Sequence, residues 1–293
     1  MAARRSIEAV LAPPAPHMVG DGFRVHNFIP AGGRIDMRRM SPFIMLDYNS
    51  KFYFPPSDRP RGVSVHPHRG FETVTIAYHG KVAHHDSAGN SGVIGEGDVQ
   101  WMTAASGILH KEYHEAEFSR AGGYFQMVQL WVNLPAKDKM SSPNYQGIEN
   151  DQISKFVLPD DTGTIEVIAG KYEDIEGTAS TFTPIHLHNA RLNPGAEVSF
   201  KFPAQYNTAL LVIEGTITVN NEKQIPVDHF VLFRNDGEEL EIRADEKAVV
   251  LLLSGEPINE PVASYGPFVM NTQAEIMQAM HDVQSGKFGY LEG

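Results

Sequence analysis

Two pairs of segments in this chain read alike at almost the same separation, and that repeat restricts the fold more than any other feature. The run TVTIAYHGKV around Gly80 matches ALLVIEGTITV around Gly215, an offset of 135 residues; GDVQWM around Asp98 matches VDHFVLF around Asp228, an offset of 130. One long offset means two copies of a single unit, not a solenoid of short repeats. The copies are built from short apolar runs between turn signals, the pattern of an all-β sandwich or barrel. Strands are expected over Glu72 to Tyr78, Phe125 to Val132, Ile165 to Ala169, Ala209 to Ile213 and Val249 to Leu253. Turns are expected at His79-Gly80, Ala88-Gly89-Asn90, Glu214-Gly215 and Asn220-Asn221. The join falls in the polar stretch KDKMSSPNYQGIEN, so the expected division is 1–140 and 141–293.

One helix closes the sequence. Thr272 with Glu275 three residues later forms a capping box, and Ile276, Met277, Ala279, Met280 and Val283 follow at helical spacing until Gly286. The chain carries 24 Lys and Arg against 36 Asp and Glu, a net charge of -12, which argues against direct nucleic-acid binding because like charges repel. Arg4, Arg5, Arg38 and Arg39 are expected on a solvated surface. The absence of cysteine excludes disulfides, thiolate metal sites and a cysteine nucleophile, and it suits a cytoplasmic setting. No apolar run is long enough for a membrane helix, and the opening MAARRSIEAVLAPPAPHM is rejected as a signal peptide because Pro13 and Pro14 cut its brief apolar stretch.

Histidine is distributed unevenly. Seven of the 13 lie between 66 and 114, where an even spread would put about two. Neutral imidazole binds iron, copper, nickel and zinc, so the excess points to a metal. In His66-Pro67-His68 the two imidazoles share one face of an extended chain, and Pro67 belongs at a strand end or edge. His110-Lys111-Glu112 repeats that geometry. Two such strands facing each other would bring three imidazoles and a carboxylate to one ion and leave two octahedral positions open. Glu72 is a rival carboxylate, four residues beyond His68, unless a bulge at Gly70 turns it away to orient an imidazole. His84 and His85 are expected on opposite faces, His79 in a turn, and His114 either at the surface or lining the pocket. The second pair, His186 and His188, does not fall where the repeat would place it. The counterparts of His66 and His68 are Lys201 and Pro203, and that of His110 lies within LEIRAD. The second copy is therefore expected to be structural or regulatory and free of metal. Phe71, Tyr78, Trp101, Met102 and Phe125 are candidates for an apolar lining, or plain core.

The segments SPFIMLDYN, HPHRGFETVTIAYHG, GDVQWMTAASGILHKE, QLWVNLPAKDKM and EPVASYGPFVMNTQAEI resemble the pirin family over about Asp36 to Gly289. The resemblance implies two tandem cupin barrels (double-stranded β-helix, jelly-roll) with a short C-terminal helix: a metal-binding one over 1–140 and a metal-free one over 141–293. Carried over by position, the ligands are His66, His68, His110 and Glu112, with Glu112 also the catalytic base. The implied cofactor is one mononuclear divalent metal, Fe(II) first, with Ni, Co, Cu, Mn or Zn as alternatives. The implied activity is a quercetin 2,3-dioxygenase, which opens a flavonol with O2 and releases CO. The alternative is an iron-dependent redox sensor or transcriptional co-regulator acting through a protein partner. Departures lie in the pocket loops. Gly62 leaves only three residues before His66 where the general cupin pattern leaves more, Ala105 replaces the usual Pro, and Ala104-Ala105-Ser106-Gly107 replaces Ala-Gly-Arg-Gly. These affect substrate preference more than metal binding.

Overall fold

The computed structural model describes residues 3–30 and 35–293. The chain forms two all-antiparallel barrels, each a seven-stranded sheet facing a four-stranded one. In the N-terminal barrel the larger sheet runs 144–148, 99–103, 71–79, 123–133, 43–54, 23–29, 17–19; the smaller runs 62–68, 108–114, 82–86, 91–94. In the C-terminal barrel the larger sheet runs 7–11, 230–233, 207–214, 248–255, 185–192, 163–169, 154–157; the smaller runs 197–201, 239–244, 217–219, 223–225. The orders match strand for strand, so the repeat read from two motifs extends through both sheets. The expected strands all form, and Gly80 and Gly215 take equivalent left-handed turns at φ 83° and 74°.

The boundary differs from the expected 140/141. The C-terminal unit comprises residues 1–14, 38–41 and 151–257, while residues 15–37, 42–150 and 258–293 form the N-terminal unit. The termini are thus exchanged: strand Ile7–Leu11 pairs with Phe230–Phe233, and the terminal helix joins the N-terminal barrel. Long-range strand pairing decides this, and no local signal encodes it. Strand Asn144–Ile148 extends the first barrel past the predicted join by pairing with Val99–Thr103.

Helix Gln273–Gln284 has the predicted capping box. Its inner face is Ile276 and Ala279 with the partly buried Val283, whereas Met277 and Met280 are exposed. A short helix, Ala116–Ala121, was not foreseen. Buried Arg69 pairs with Asp282 at 2.9 Å and ties the helix to the barrel. Arg5 departs from the surface expectation. It is fully buried, and its guanidinium donates to the carbonyl oxygens of Pro203, Tyr206 and Arg234, which meets the cost of burial with hydrogen bonds. No helix among the described residues is long and apolar enough to cross a membrane.

Candidate metal centre

The interior of the N-terminal barrel is layered by strand alternation. At one end Phe23, Val25, Phe54, Ala77, Val82, Ile94, Phe125 and Met127 form an apolar plug. His114 lies in this plug against Phe23, Phe54, Phe118 and Phe125, with Nε2 at 2.8 Å from the Gly22 carbonyl. Burial lowers its pKa to about 4, so it is a neutral core histidine and does not line the pocket.

The middle layer is polar. Register across the large sheet aligns Gln100, Thr75, Gln129 and Asp47. Glu112 reaches this layer from the small sheet. Its Oε1 accepts from Gln100 Nε2 at 2.8 Å and Thr75 Oγ1 at 3.2 Å, and its Oε2 accepts from Gln129 Nε2 at 2.7 Å. A carboxylate offers about four lone-pair positions, so roughly one remains, on Oε2.

The next layer holds the histidines. Strand Gly62–His68 is an edge strand, as Pro67 requires, and it pairs His66 with His110 across to Ile108–His114. The imidazole centroids lie 4.3 Å (His66–His110) and 4.8 Å (both other pairs) apart. One donor atom from each of the three falls within 4.8 Å of the others. The Nδ1 of His66 lies 2.8 Å from the Ser64 carbonyl and that of His68 lies 3.4 Å from the Pro267 carbonyl. Those bonds fix the tautomers and leave both Nε2 lone pairs free. Burial, then the neighbouring imidazoles, push the pKa values of His68 and His110 well below the ordinary range, which keeps them neutral. Metal ligands must be unprotonated, so this electrostatic state suits an ion.

His110 supplies the fit test. It is completely buried, and neither ring nitrogen has a hydrogen-bond partner. An unmet buried polar group costs about 1–3 kcal/mol. Coordination would remove that cost for at least one nitrogen, so the donors present suit a cation of the nitrogen-preferring late first-row series.

Glu112 shares His110 as a neighbour but groups with a different partner. The donor atoms of His84, His110 and Glu112 lie within 4.8 Å of one another. His84 was expected only as one of an outward- and inward-facing pair. It pairs with Glu112 across the sheet, is fully buried and stacks on Tyr145 at 5.0 Å. The signal was available in the alternation of His84 with Asp86, which points inward on the same face; Asp86 Oδ2 lies 3.3 Å from His84 Nε2.

Glu72 is not part of either group. The strand ends at His68 and a new one begins at Phe71, so even spacing does not carry it to the site. Gly70 makes the break at φ 92°, where a Cβ would sit 2.0 Å from the Val269 carbonyl. The Glu72 carboxyl instead accepts from Thr103 Oγ1 at 2.7 Å, and burial raises its pKa to about 7. Of the expected apolar lining, Phe71 lies 5.0 Å from His68, while Trp131, unforeseen, stacks on Phe71 at 4.2 Å and stands 5.2 Å from His68. Met102 packs in a buried cluster with Ala104, Ile108 and Tyr145. Trp101 pairs with Val74 in the register between Gln100 and Met102, so it faces away, and Phe125 belongs to the plug.

Sequence comparison agrees with this architecture. The profile named Pirin matches residues 22–132, and the Pirin C-terminal cupin domain matches 187–289. A Pseudomonas aeruginosa protein named "Putative quercetin 2,3-dioxygenase" is 46% identical over 272 residues, covering 93% of this chain and 94% of the relative. Human pirin is 36% identical over 277 residues, covering 92% and 90%. The crystal structure of a quercetin 2,3-dioxygenase from Acinetobacter baumannii superposes with a TM-score of 0.92 at 43% identity, covering 99% of this chain and all of the other. With both barrels, their order and the histidine-lined interior in place, the chain belongs to the pirin family.

Proposed function

We propose that the chain is a metal-dependent dioxygenase that holds one Fe(II) with His66, His68, His110 and Glu112 and opens a flavonol such as quercetin with O2, releasing CO. Ni, Co, Cu, Mn or Zn are the alternatives for the same donors. The ion, when bound, supplies Lewis acidity and a meeting point for substrate and O2. The observation that carries the reading is the cluster of three imidazoles whose ring nitrogens converge inside the barrel, with an orphaned pair on His110.

The protein's own contribution is orientation, water exclusion and proton handling. Ser64 and Pro267 fix the rings of His66 and His68. Gln100, Thr75 and Gln129 fix the Glu112 carboxylate and leave one open position on Oε2; that position would hold the ion and, when it lets the ion go, would accept the proton of the flavonol 3-hydroxyl. The stacked Phe71–Trp131 pair beside His68 offers an aromatic surface for a flat ring, and Trp131 is only partly buried. Iron-loaded protein mixed with quercetin under O2 should release CO, and His66→Ala and His110→Ala should abolish that release. Absence of turnover across a range of flavonols sinks the dioxygenase reading and leaves a non-enzymatic, metal-dependent role.

A further inference from the structure

The hydrogen bonds that hold Glu112 do not end at Gln100. Behind that amide stand His84 and then Asp86, and all four side chains are buried. Both ring nitrogens of His84 are engaged in this chain, so the ring is a link and not a donor to an ion. We propose that Asp86 and His84 are positioning residues for the metal centre: through the Gln100 amide they fix the direction in which the Glu112 carboxylate offers its free lone pair. This rests on the reading that Glu112 holds the ion together with His66, His68 and His110.

The polarity of every bond in the chain follows from its far end. Asp86 Oδ1 accepts from the backbone N–H groups of Ala88 and Asn90 at 2.9 and 3.0 Å, and the Asn90 amide donates to both carboxylate oxygens. Burial raises the Asp86 pKa, but the hydrogen bonds from His84 and Asn90 outweigh it and hold the group below its usual range. An ionised carboxylate only accepts. His84 Nε2, 3.3 Å from Asp86 Oδ2, therefore carries the ring proton and Nδ1 carries the lone pair. That lone pair accepts one N–H of Gln100 Nε2 at 3.4 Å, and the other N–H goes to Glu112 Oε1 at 2.8 Å. The far end of the amide agrees: Gln100 Oε1 accepts from the Tyr145 hydroxyl at 3.2 Å. Burial, then the charges of Glu112 and Asp86, push that hydroxyl up to about 12, so it is a donor throughout. The two bonds of His84 are long and contribute little energy; what they transmit is polarity.

Polarity matters here because one error passes down the whole chain. Two donors on Glu112 Oε1 and one on Oε2 leave the single open position on Oε2. A Gln100 amide turned end for end would set its oxygen against Glu112 Oε1 and its N–H groups against Tyr145, and the carboxylate would be free to rotate. An Asp86→Asn change forces that turn without moving the ring, which stays stacked on Tyr145 at 5.0 Å. The new N–H group in place of Oδ2 donates to His84 Nε2, the ring proton shifts to Nδ1, and N–H then faces N–H at Gln100. A carboxylate behind an imidazole sets its tautomer in this way, and its amide sets the wrong one. The remaining oxygen of the asparagine still accepts from Ala88 and Asn90, so the turn is kept.

The test is a double-mutant cycle on Co(II) affinity, read by competition with a chelator and by visible absorption. Asp86→Asn alone is expected to weaken Co(II) binding by about 10- to 100-fold and to shift the absorption bands, although two side chains separate it from the carboxylate. Gln100→Met is expected to weaken binding by a similar factor. In the Gln100→Met background no amide is left to turn, so adding Asp86→Asn should cost nothing more. Equal losses in both backgrounds, or no loss in Asp86→Asn, overturn the inference and leave the four-ligand reading standing. If Asp86→Asn does not fold, His84→Phe keeps an aromatic ring against Tyr145, removes the Nδ1 acceptor and enters the same cycle with the same expectation. Wild type that binds no Co(II) overturns the metal reading and this inference with it, and Glu112→Gln that binds Co(II) as tightly as wild type overturns the role of Glu112 on which the inference rests.

Discussion

The two barrels share every strand pairing but fill their interiors with opposite materials. In the N-terminal barrel the middle layer is Thr75, Gln100, Gln129 and Asp47, facing Glu112 and His84. Equivalent register positions in the C-terminal barrel hold Leu210, Val231, Leu252 and His188, facing Ile242 and Val219. Five of these six belong to one hydrocarbon core that also contains Phe200 and Leu240. The backbone therefore tolerates either a dry apolar core or a layered polar one. What a barrel can do chemically depends on a handful of inward positions, each surrounded by partners that satisfy it. A carboxylate in the second core would have no donors, and a leucine in the first would leave donors stranded.

Exchanging single positions between the barrels measures how separable these roles are. The largest effect is expected from His110→Leu, which copies the residue at the equivalent place in the second barrel, Leu240. It removes the ring shared by both donor groups, so ion content should fall to background and dioxygenase activity by more than about 100-fold, while melting changes little. Retention of a full complement of iron would show that His110 is not a ligand.

Gln129→Leu copies Leu252 and acts behind the Glu112 carboxylate. It removes the 2.7 Å donor to Glu112 Oε2 and frees the carboxylate to rotate. Ion affinity should drop by about 10- to 100-fold, the usual cost of losing a group that orients a ligand. Unchanged affinity, read by competition with a chelator, would mean that Gln100 and Thr75 suffice to hold the carboxylate.

How much of this was legible in the sequence depended on the range of the interaction. Alternation is local, and it placed His66 with His68 and His110 with Glu112 on shared faces. The repeat placed His186 and His188 away from the equivalent positions, and they do stand on strand Ile185–Leu192 of the large sheet; its register was off by one, because strand pairing puts Phe200 and Phe202, not Lys201 and Pro203, opposite His66 and His68 in the repeat. Gln100, Thr75 and Gln129 were hidden because a polar residue in a strand reads equally as solvent-facing until the opposite sheet is known. The exchanged termini were hidden for the same reason, since Ile7 meets Phe233 only through folding. His84 was legible in part: its alternation with Asp86 was visible, its approach to His110 was not.

The reverse contrast is His188, a polar side chain in the otherwise apolar core. Neither ring nitrogen has a side-chain or backbone hydrogen bond of good geometry, and burial lowers its pKa to about 3. The folded chain keeps it neutral while the unfolded chain takes up a proton below about pH 6.5, so stability is lost as pH falls from 6.5 toward 3. His188→Leu should therefore raise stability, by roughly 2 kcal/mol at pH 5 and less at pH 8, measured by urea unfolding. A variant that is destabilised at both pH values would show that the ring serves a ligand or a packing role in this barrel.

Glu72 gives the smallest and most pH-specific contrast. Its counterpart in the second barrel is Asn207, which is uncharged and donates to the Ser41 carbonyl at 2.7 Å. Burial raises the Glu72 pKa from 4.5 to about 7. The folded chain holds this proton between those values and the unfolded chain does not. Its contribution to stability is thus present below about pH 4.5 and lost as pH rises through 7. Glu72→Gln carries no charge at any pH and keeps an acceptor for Thr103. It should match wild type near pH 4.5 and exceed it by on the order of 1–2 kcal/mol at pH 8. Because Glu72 touches neither donor group, ion affinity should stay unchanged across the same range. A stability difference independent of pH would show that Glu72 is ionised in the folded barrel. Altered ion affinity would return it to the place of rival ligand that its spacing from His68 first suggested.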